Sequence, residues 1–318
     1  MEDPAARAVT GFLESAGLGR ASSIRALSGG VSSDIWRVDL SRGPVCVKRA
    51  LPRLRVAQLW EAPVERNRYE RLWLQAANAA LPGSAPDVLS WDDAQGLFAM
   101  QYLDHPVWKE RLRRGDADAA FAAKVGAALA RIHAATAGDA EIARRFPTDK
   151  IFYAIRLEPY LVATARKHPD LEKKLMGLVS RTAASHVALV HGDVSPKNIL
   201  VAPGGPVFLD AECAWYGDPA FDVAFCLNHL ILKSFWVPDA PFRECFEALF
   251  RTYLSGVTWE PAIEERVATL LPALLLARVD GKSPVEYLDD PQRQSVRELA
   301  IRMMNSEKKQ LAWPRSST

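Results

Sequence analysis

The sequence has few cysteines, no long hydrophobic run and almost no net charge. Its four cysteines are scattered without a C-x-x-C pair, which excludes a zinc-finger pattern and a dense disulfide framework. Forty Lys and Arg against 38 Asp and Glu give a formal charge of +2, so no global field recruits nucleic acid or an anionic membrane. The most apolar stretch, around residues 270–277, is too short to span a bilayer.

These absences favour an ordinary globular protein of a reducing compartment. The first residues, Met1-Glu2-Asp3-Pro4, include two acids and no apolar leader, so we expect a cytoplasmic protein. We expect neither a nucleic-acid nor a membrane partner, and a monomer or a homodimer. The 318 residues are enough for one large domain or two lobes, and no repeat, low-complexity segment or long linker interrupts them.

One stretch carries residues suited to phosphoryl transfer, namely His191-Gly192-Asp193-Val194-Ser195-Pro196-Lys197-Asn198 followed by Phe208-Leu209-Asp210-Ala211-Glu212. In such reactions an Asp orients the acceptor hydroxyl and takes its proton, while an Asn and a second Asp hold magnesium on the phosphates. Protein kinases use H-R-D-L-x-x-x-N and D-F-G; this chain keeps the spacing but lacks the Arg and the Phe-Gly. We predict Asp193 as the catalytic base, with Asn198 and Asp210 as Mg²⁺ ligands.

H-G-D with D-x-E resembles the aminoglycoside phosphotransferase and choline kinase-like family of small-molecule kinases. Asp210-Ala211-Glu212, followed by Ala214-Trp215-Tyr216-Gly217 and Phe221-Asp222, is also similar to methylthioribose kinase. The resemblance implies an α+β, bilobal protein kinase-like fold. Its antiparallel five-stranded N-lobe, residues 1–103, would bind the nucleotide. Its mostly helical C-lobe, residues 104–318, would carry the catalytic loop and the substrate pocket.

Several hydrophobic patterns predict elements of these lobes. Strand-like segments occur on both sides of residues 28–33, at 44–49, 88–91 and 97–103, and an apolar hairpin joins Asn198 to Asp210. Helical periodicity occurs at residues 5–16, 62–80, 119–135, 152–167, 171–186, 223–232, 241–253, 262–279 and 291–310.

The Gly/Ser turn with Gly29, Gly30 and Ser32 is a candidate phosphate-binding loop. Glycines let backbone amides approach phosphate oxygens, and small hydroxyls add donors. The resemblance supports this role, because the family has a similar loop here. A hairpin turn that simply needs glycine is the alternative.

Lys48 ends a strand-like segment that resembles V-A-I-K, which makes it the candidate partner of the α- and β-phosphates. A solvated edge lysine is the alternative. The segment that ends at Glu70 resembles the family's Arg-to-Glu spacing, which implies that Glu70 pairs with Lys48 and fixes its direction. The alternative is that Glu65 and Glu70 are both exposed acids on the helix surface, which is the favoured interpretation for Glu65. Gln101 and Leu103 fall at the kinase-like hinge, where backbone groups would bind the adenine of ATP, or the guanine if GTP is used.

Glu212 resembles the second acid of the D-x-E pattern and could assist a second metal, while a structural partnership with a basic group is equally open. The resemblance implies that His191 and Asp222 brace the loop. We predict His133 as a hydrogen-bonded core residue. Protein kinases have a Lys where this chain has Ser195, which argues against a protein kinase.

The acceptor is expected to be a small hydroxylated molecule whose identity stays open. The region beyond residue 222 has no acidic run, which disfavours polycationic aminoglycosides. Residues 278–283 could meet a carboxylate or phosphate on the substrate, although a helix C-cap is the favoured interpretation. A nucleotide-binding pseudo-enzyme remains an alternative to an active kinase, but the joint presence of Lys48, Asp193, Asn198 and Asp210 favours the kinase.

Overall fold

The computed structural model describes residues 4–27, 33–51, 63–306 and 311–314. The chain divides into two compact units, Met1–Asp104 and His105–Thr318. No helix of the described ranges is long and apolar enough to cross a membrane.

The first unit contains a five-stranded antiparallel sheet with two helices, as predicted. The strand order is β1-β2-β3-β5-β4. Its elements are α1 (Pro4–Ser15), β1 (Ser23–Ala26), β2 (Ser33–Leu40), β3 (Gly43–Ala50), α2 (Arg66–Ala80), β4 (Val88–Asp92) and β5 (Leu97–Gln101).

Alternating side chains explain how α1 covers one face of this sheet. Strand β2 buries every second residue from Trp36 to Leu40, because successive side chains of a strand point to opposite faces. Helix α1 buries Val9, Phe12 and Leu13 in the same hydrophobic cluster. Positions three and four apart share one side of a helix, so these residues form the stripe that meets the sheet.

The second unit is mostly helical. Its helices are α3 (Trp108–Arg113), α4 (Ala119–Thr136), α5 (Ala140–Arg145), α6 (Asp149–Phe152), α7 (Ala163–Lys167), α8 (Glu172–Ala183), α9 (Ala220–Trp236), α10 (Phe242–Gly256), α11 (Ile263–Asp280) and α12 (Asp290–Asn305). Its strands are β6 (Ala188–Val190), β7 (Ile199–Ala202), β8 (Gly205–Phe208) and β9 (Trp215–Gly217). Strands β7 and β8 form the predicted hairpin, while β9, which the sequence did not predict, pairs antiparallel with β6.

Residues 152–167 are helical as predicted but include a wider π-helical segment, Tyr153–Val162. Pro159 lies inside it. Proline has no N–H to donate, and its ring would clash with the carbonyl four residues earlier in an α-helix. The wider turn avoids this conflict, and the N–H of Ala163 accordingly donates to the carbonyl of Glu158, five residues back.

Helices α4 and α10 approach each other closely at Gly126. A Cβ atom built on Gly126 would lie 2.2 Å from the carbonyl oxygen of Leu249, a distance that only a backbone shift could relieve. Gly177 in α8 is a contrasting helical glycine, exposed and with nothing within 4 Å of the same virtual atom.

We therefore expect Gly126→Ala to lower the free energy of unfolding by about 2–3 kcal/mol through overpacking. Gly177→Ala makes the same chemical change on a free surface and should raise stability by about 0.5–1 kcal/mol. Urea unfolding followed by circular dichroism measures both variants. Equal stability changes in the two would contradict the close contact between α4 and α10.

Candidate active site

Strand β6 leads directly into the loop formed by residues 191–198. Gly192 in this loop has φ +79°, and a Cβ there would lie 2.6 Å from the carbonyl oxygen of Cys213. Both the backbone conformation and the close approach require glycine at this position. The G of H-G-D is therefore explained by the fold of the loop alone.

The carboxylate of Asp222, at the start of α9, holds the loop in place. Its two oxygens accept hydrogen bonds from the backbone N–H groups of His191 (2.7 Å) and Gly192 (2.8 Å). His133 Nε2 lies 3.3 Å from the same carboxylate, and His133 Nδ1 lies 3.0 Å from the Tyr253 hydroxyl. The bracing role of Asp222 and the core role of His133 are both confirmed.

His191 is bonded through both ring nitrogens. Its Nδ1 accepts from the backbone N–H of Asp193 at 3.1 Å, which leaves the proton on Nε2, 3.0 Å from the carbonyl oxygen of Leu209. Burial lowers the pKa of His191, although the Asp222 carboxylate acts in the opposite direction. A neutral imidazole with these two bonds braces the loop and is not placed to act as a base, as predicted.

Two cations contact the carboxylate of Asp193. Arg156 Nη2 and Lys197 Nζ lie 3.0 Å and 3.3 Å from its Oδ2 atom. Arg156 also donates through Nε to the carbonyl of Gly192, so it binds both the loop backbone and the acid. These contacts restrict Asp193 to one orientation.

Sequence reasoning missed Arg156. It belongs to the π-helical segment, and it is the only cation in the apolar stretch Ile151–Val162 of the sequence. An arginine inside an apolar helical pattern beside a proline was the available signal, because a buried cation needs a counter-ion.

Asn198 and Asp210 are brought together by the β7–β8 hairpin. The side-chain amide of Asn198 donates to the carbonyl of Asp193 at 3.0 Å, and the N–H of Leu209 donates to the carbonyl of Asn198 at 2.9 Å. The Asp193 carboxylate raises the pKa of Lys197, and Asp210 acts in the same direction. Both acids therefore lie near one ammonium group.

Asp210 has φ +65°, the one positive value for a non-glycine among the described residues. Residues other than glycine adopt this conformation rarely, and they do so most often at functional sites whose surroundings impose it. The turn after β8 therefore places a half-buried carboxylate in a conformation that costs free energy.

The side-chain oxygens of Asn198 and Asp210 suit Mg²⁺ better than a metal whose ligands must all come from protein side chains. Among the described residues, no three His, Cys, Asp or Glu side chains form a group that could hold a metal ion. Mg²⁺ is typically held by one or two carboxylates together with substrate phosphates and water. Asn198 and Asp210 supply hard oxygen ligands of this kind, and the half-buried Glu212 follows two residues later.

In the first unit, Lys48 and Glu70 form the predicted ion pair. Lys48 Nζ lies 2.8 Å and 2.7 Å from the two carboxylate oxygens, and the side chains are only 2% and 1% exposed. Glu65 is exposed, as expected. A fully buried pair gains little net stability, because desolvation offsets the attraction.

The remaining predicted nucleotide contacts are only partly visible. Gly29, Gly30 and Ser32 lie outside the described residues. Gln101 is exposed at the end of β5, and its N–H donates to the carbonyl of Asp87 at 2.8 Å. Leu103 follows two residues later and is half-buried.

Comparison with known proteins agrees with this geometry. The model of the phosphotransferase enzyme family (APH) matches residues 23–265. The chain belongs to this family. It is 28% identical to the methylthioribose kinase of Cronobacter sakazakii over 257 residues, which cover 71% of this chain but only 64% of that kinase.

Two solved structures share the protein kinase-like fold. The choline/ethanolamine kinase family protein of Mesorhizobium loti has a TM-score of 0.59 at 18% identity, covering 95% of each chain. The aminoglycoside phosphotransferase of Alicyclobacillus acidocaldarius has a TM-score of 0.52 at 14% identity, covering 88% of this chain and 89% of that one. At these identities, the similarity concerns the fold alone.

We expect Asp222→Asn to lower the free energy of unfolding by about 2–3 kcal/mol. An amide offers one acceptor where two buried N–H groups need acceptors, and its NH₂ group would face one of those donors. Asp118→Asn is the matched control, because Asp118 accepts from the N–H of Ala120 at an exposed helix start, where Asn caps equally well. Thermal unfolding compares the two, and a loss no larger than that of the control would contradict the bracing role.

Proposed function

We propose that the protein is a small-molecule kinase that transfers the γ-phosphate of ATP to a hydroxyl group. The observation that carries the proposal is the constellation of Asp193, Asn198 and Asp210, with Asp210 held in an unfavourable backbone conformation. Membership of the phosphotransferase enzyme family supports it.

In the proposed reaction, Asp193 accepts a hydrogen bond from the acceptor hydroxyl and takes its proton as the oxygen attacks the γ-phosphorus. The products are a phosphate monoester and ADP, with the proton left on Asp193. Arg156 and Lys197 hold the carboxylate in place for this role. Positioning of this kind supplies most of the catalysis when the transition state is loose.

Asn198 and Asp210 would hold Mg²⁺, and Glu212 would assist a second ion. Bound magnesium supplies positive charge that neutralises the phosphate oxygens. The chain's own contribution is to present hard oxygen ligands on a short hairpin, close to the acid that receives the proton.

We assign nucleotide binding to the first unit, with Lys48 pairing the α- and β-phosphates and Glu70 fixing its orientation. Gly29, Gly30 and Ser32 would contact phosphate, and the backbone at Gln101 and Leu103 would bind the base. ATP is the proposed phosphate donor, and GTP is the alternative donor with which it should be compared. The pseudo-enzyme alternative is disfavoured, because Lys48, Asp193, Asn198 and Asp210 are all retained.

We expect Asp193→Asn to lower kcat by about 10²–10⁴-fold while leaving ATP affinity within about twofold, because the proton acceptor is lost together with the charge that pairs with Arg156 and Lys197. A coupled ADP-release assay over a panel of alcohols and equilibrium nucleotide binding give the two quantities. Asp170→Asn, on the exposed surface, is the control for the chemical change. Full turnover in Asp193→Asn would refute the role of the acid.

Asp210→Asn should raise the Mg²⁺ concentration needed for half-maximal ATP binding at least about tenfold, because a charged ligand becomes neutral. Asn tolerates positive φ as Asp does, so the turn should be preserved. Titrating Mg²⁺ at fixed ATP, with circular dichroism as the check on folding, measures the effect. An unchanged magnesium dependence in a folded variant would remove the metal assignment.

A further inference from the structure

Two buried cations of the second unit have no carboxylate partner among the described residues. Lys233 in α9 is 1% exposed, and Arg278 in α11 is 9% exposed. Arg278 Nη1 donates to the Tyr160 hydroxyl (3.3 Å) and to the hydroxyl (2.9 Å) and carbonyl of Ser283, all of which are neutral groups. Burying an unpaired charge costs several kcal/mol, so this arrangement calls for a counter-ion.

Residues 278–283 do contain the expected C-cap, since the N–H of Gly281 donates to the carbonyl of Ala277 at 2.9 Å. Helix α11 does end at Asp280, but Gly281 has φ −75° and is not in the left-handed conformation that typical glycine caps adopt. Glycine is needed here because a Cβ would lie 2.6 Å from the carbonyl oxygen of Ala277. Arg278 therefore lies inside the unit and not at a solvated helix end.

Polar atoms beside these cations also lack partners. Arg278 Nε and the hydroxyl of Tyr287 are buried, and neither has a hydrogen-bond partner among the described residues. Lys233 Nζ lies 4.5 Å and 4.8 Å from the ring centroids of Tyr287 and Trp236, which stack on each other at 4.5 Å. Aromatic faces stabilise an ammonium only in part and supply no hydrogen-bond acceptor.

The neighbouring cations differ, because each is paired. Lys109 forms an ion pair with Glu286, while Arg156 and Lys197 pair with Asp193. The positive charge in excess thus belongs to Arg278 and Lys233. Burial and, to a smaller extent, Lys109 lower the pKa of Lys233 to about 7, while the carboxylates of Glu286 and Glu110 act in the opposite direction.

A set of contacts links Arg278 to the proposed catalytic acid through Tyr160 and Arg156. The guanidinium carbons of Arg156 and Arg278 lie 5.6 Å and 5.7 Å from the centroid of the Tyr160 ring. Arg156 contacts Asp193, so Tyr160 separates the paired arginine from the unpaired one. His229 is also near, since burial lowers its pKa and both Arg278 and Lys233 lower it further.

We propose that Arg278 and Lys233 bind an oxyanion on the phosphate acceptor, which would be a hydroxylated carboxylic acid or a phosphate ester. The inference rests on the proposed function and names its substrate class. An oxyanion would supply the missing negative charge and accept from Arg278 Nε and the Tyr287 hydroxyl. An aminoglycoside or choline would bring more positive charge to this region, and a neutral sugar would leave the cations unpaired.

The first test measures anion binding without turnover. Thermal unfolding is followed with D-gluconate, D-glycerate and D-ribose 5-phosphate, against D-sorbitol, glycerol and D-ribose at equal ionic strength. At least one anion should raise Tm saturably while its neutral counterpart does not. The carboxylate and phosphate probes distinguish the two sources of the oxyanion. No saturable rise with any of the three anions would overturn the inference.

Lys233→Met tests whether the lysine itself binds the anion. Met keeps the length and apolar stem of the side chain but removes the charge, so we expect Tm without ligand to be kept or raised and anion affinity to fall at least tenfold. Lys124→Met, on the exposed face of α4, is the matched control and should bind as the unmodified protein does. A lower Tm with unchanged anion affinity would mean that Lys233 is only structural, and it would overturn the proposal.

ADP release over the same six compounds, with kanamycin, choline and methylthioribose added, separates this inference from the proposed function. Higher kcat/KM for anionic acceptors supports both. Higher kcat/KM for a neutral or cationic acceptor overturns the inference while supporting the kinase. Anion binding that depends on Lys233, without ADP release from any acceptor, supports the anion site and counts against the proposed function.

Discussion

The catalytic loop depends on a single buried carboxylate. Asp222 accepts hydrogen bonds from the backbone N–H groups of His191 and Gly192, and these bonds determine where Asp193 lies. Backbone donors in a buried turn have no water to bond, so the carboxylate satisfies them as well as orienting them. His133 and Tyr253 extend this network into α4 and α10, the two helices that meet at Gly126.

The cations of the second unit differ in their pairing according to their distance from that loop. Near Asp193 each cation has a carboxylate, so the acid is oriented by contacts that exist before any ligand binds. Beyond Tyr160, Arg278 and Lys233 contact hydroxyls, a carbonyl and aromatic rings, and neither pairs with a carboxylate among the described residues. This difference is the basis for proposing that catalysis takes place at Asp193 and that Arg278 and Lys233 recognise the acceptor.

The local sequence predicted the sheet, most helices and the catalytic loop, because these depend on short-range patterns. A strand-like run beside the Gly/Ser turn identified β2, helical spacing identified α1, and the spacing of Asp193, Asn198 and Asp210 indicated the chemistry. The pairing of Lys48 with Glu70 was also predictable, from the resemblance to related kinases. The roles of Gly29, Gly30 and Ser32 stay predictions.

Arg156, β9 and the environment of Arg278 were not predictable in the same way. Strand β9 has only three residues and is defined by its hydrogen bonds to β6. Because β6 lies 25 positions or more earlier in the chain, the local sequence pattern does not reveal this strand. The role of Arg156 is visible only in the structure, where it lies in the π-helical segment and contacts the loop at Gly192, more than thirty residues away. Such features depend on which groups meet in space, and sequence spacing does not encode that.

The sequence by itself determined the residue types available for phosphoryl transfer and the elements that present them, because side-chain chemistry and hydrophobic period are local properties. Tertiary structure decided which acid braces the loop, which arginine contacts Asp193 and which two buried cations have no carboxylate partner among the described residues. The physical reason is that the free energy of a buried charge depends on its neighbours in space, and packing of distant segments selects those neighbours.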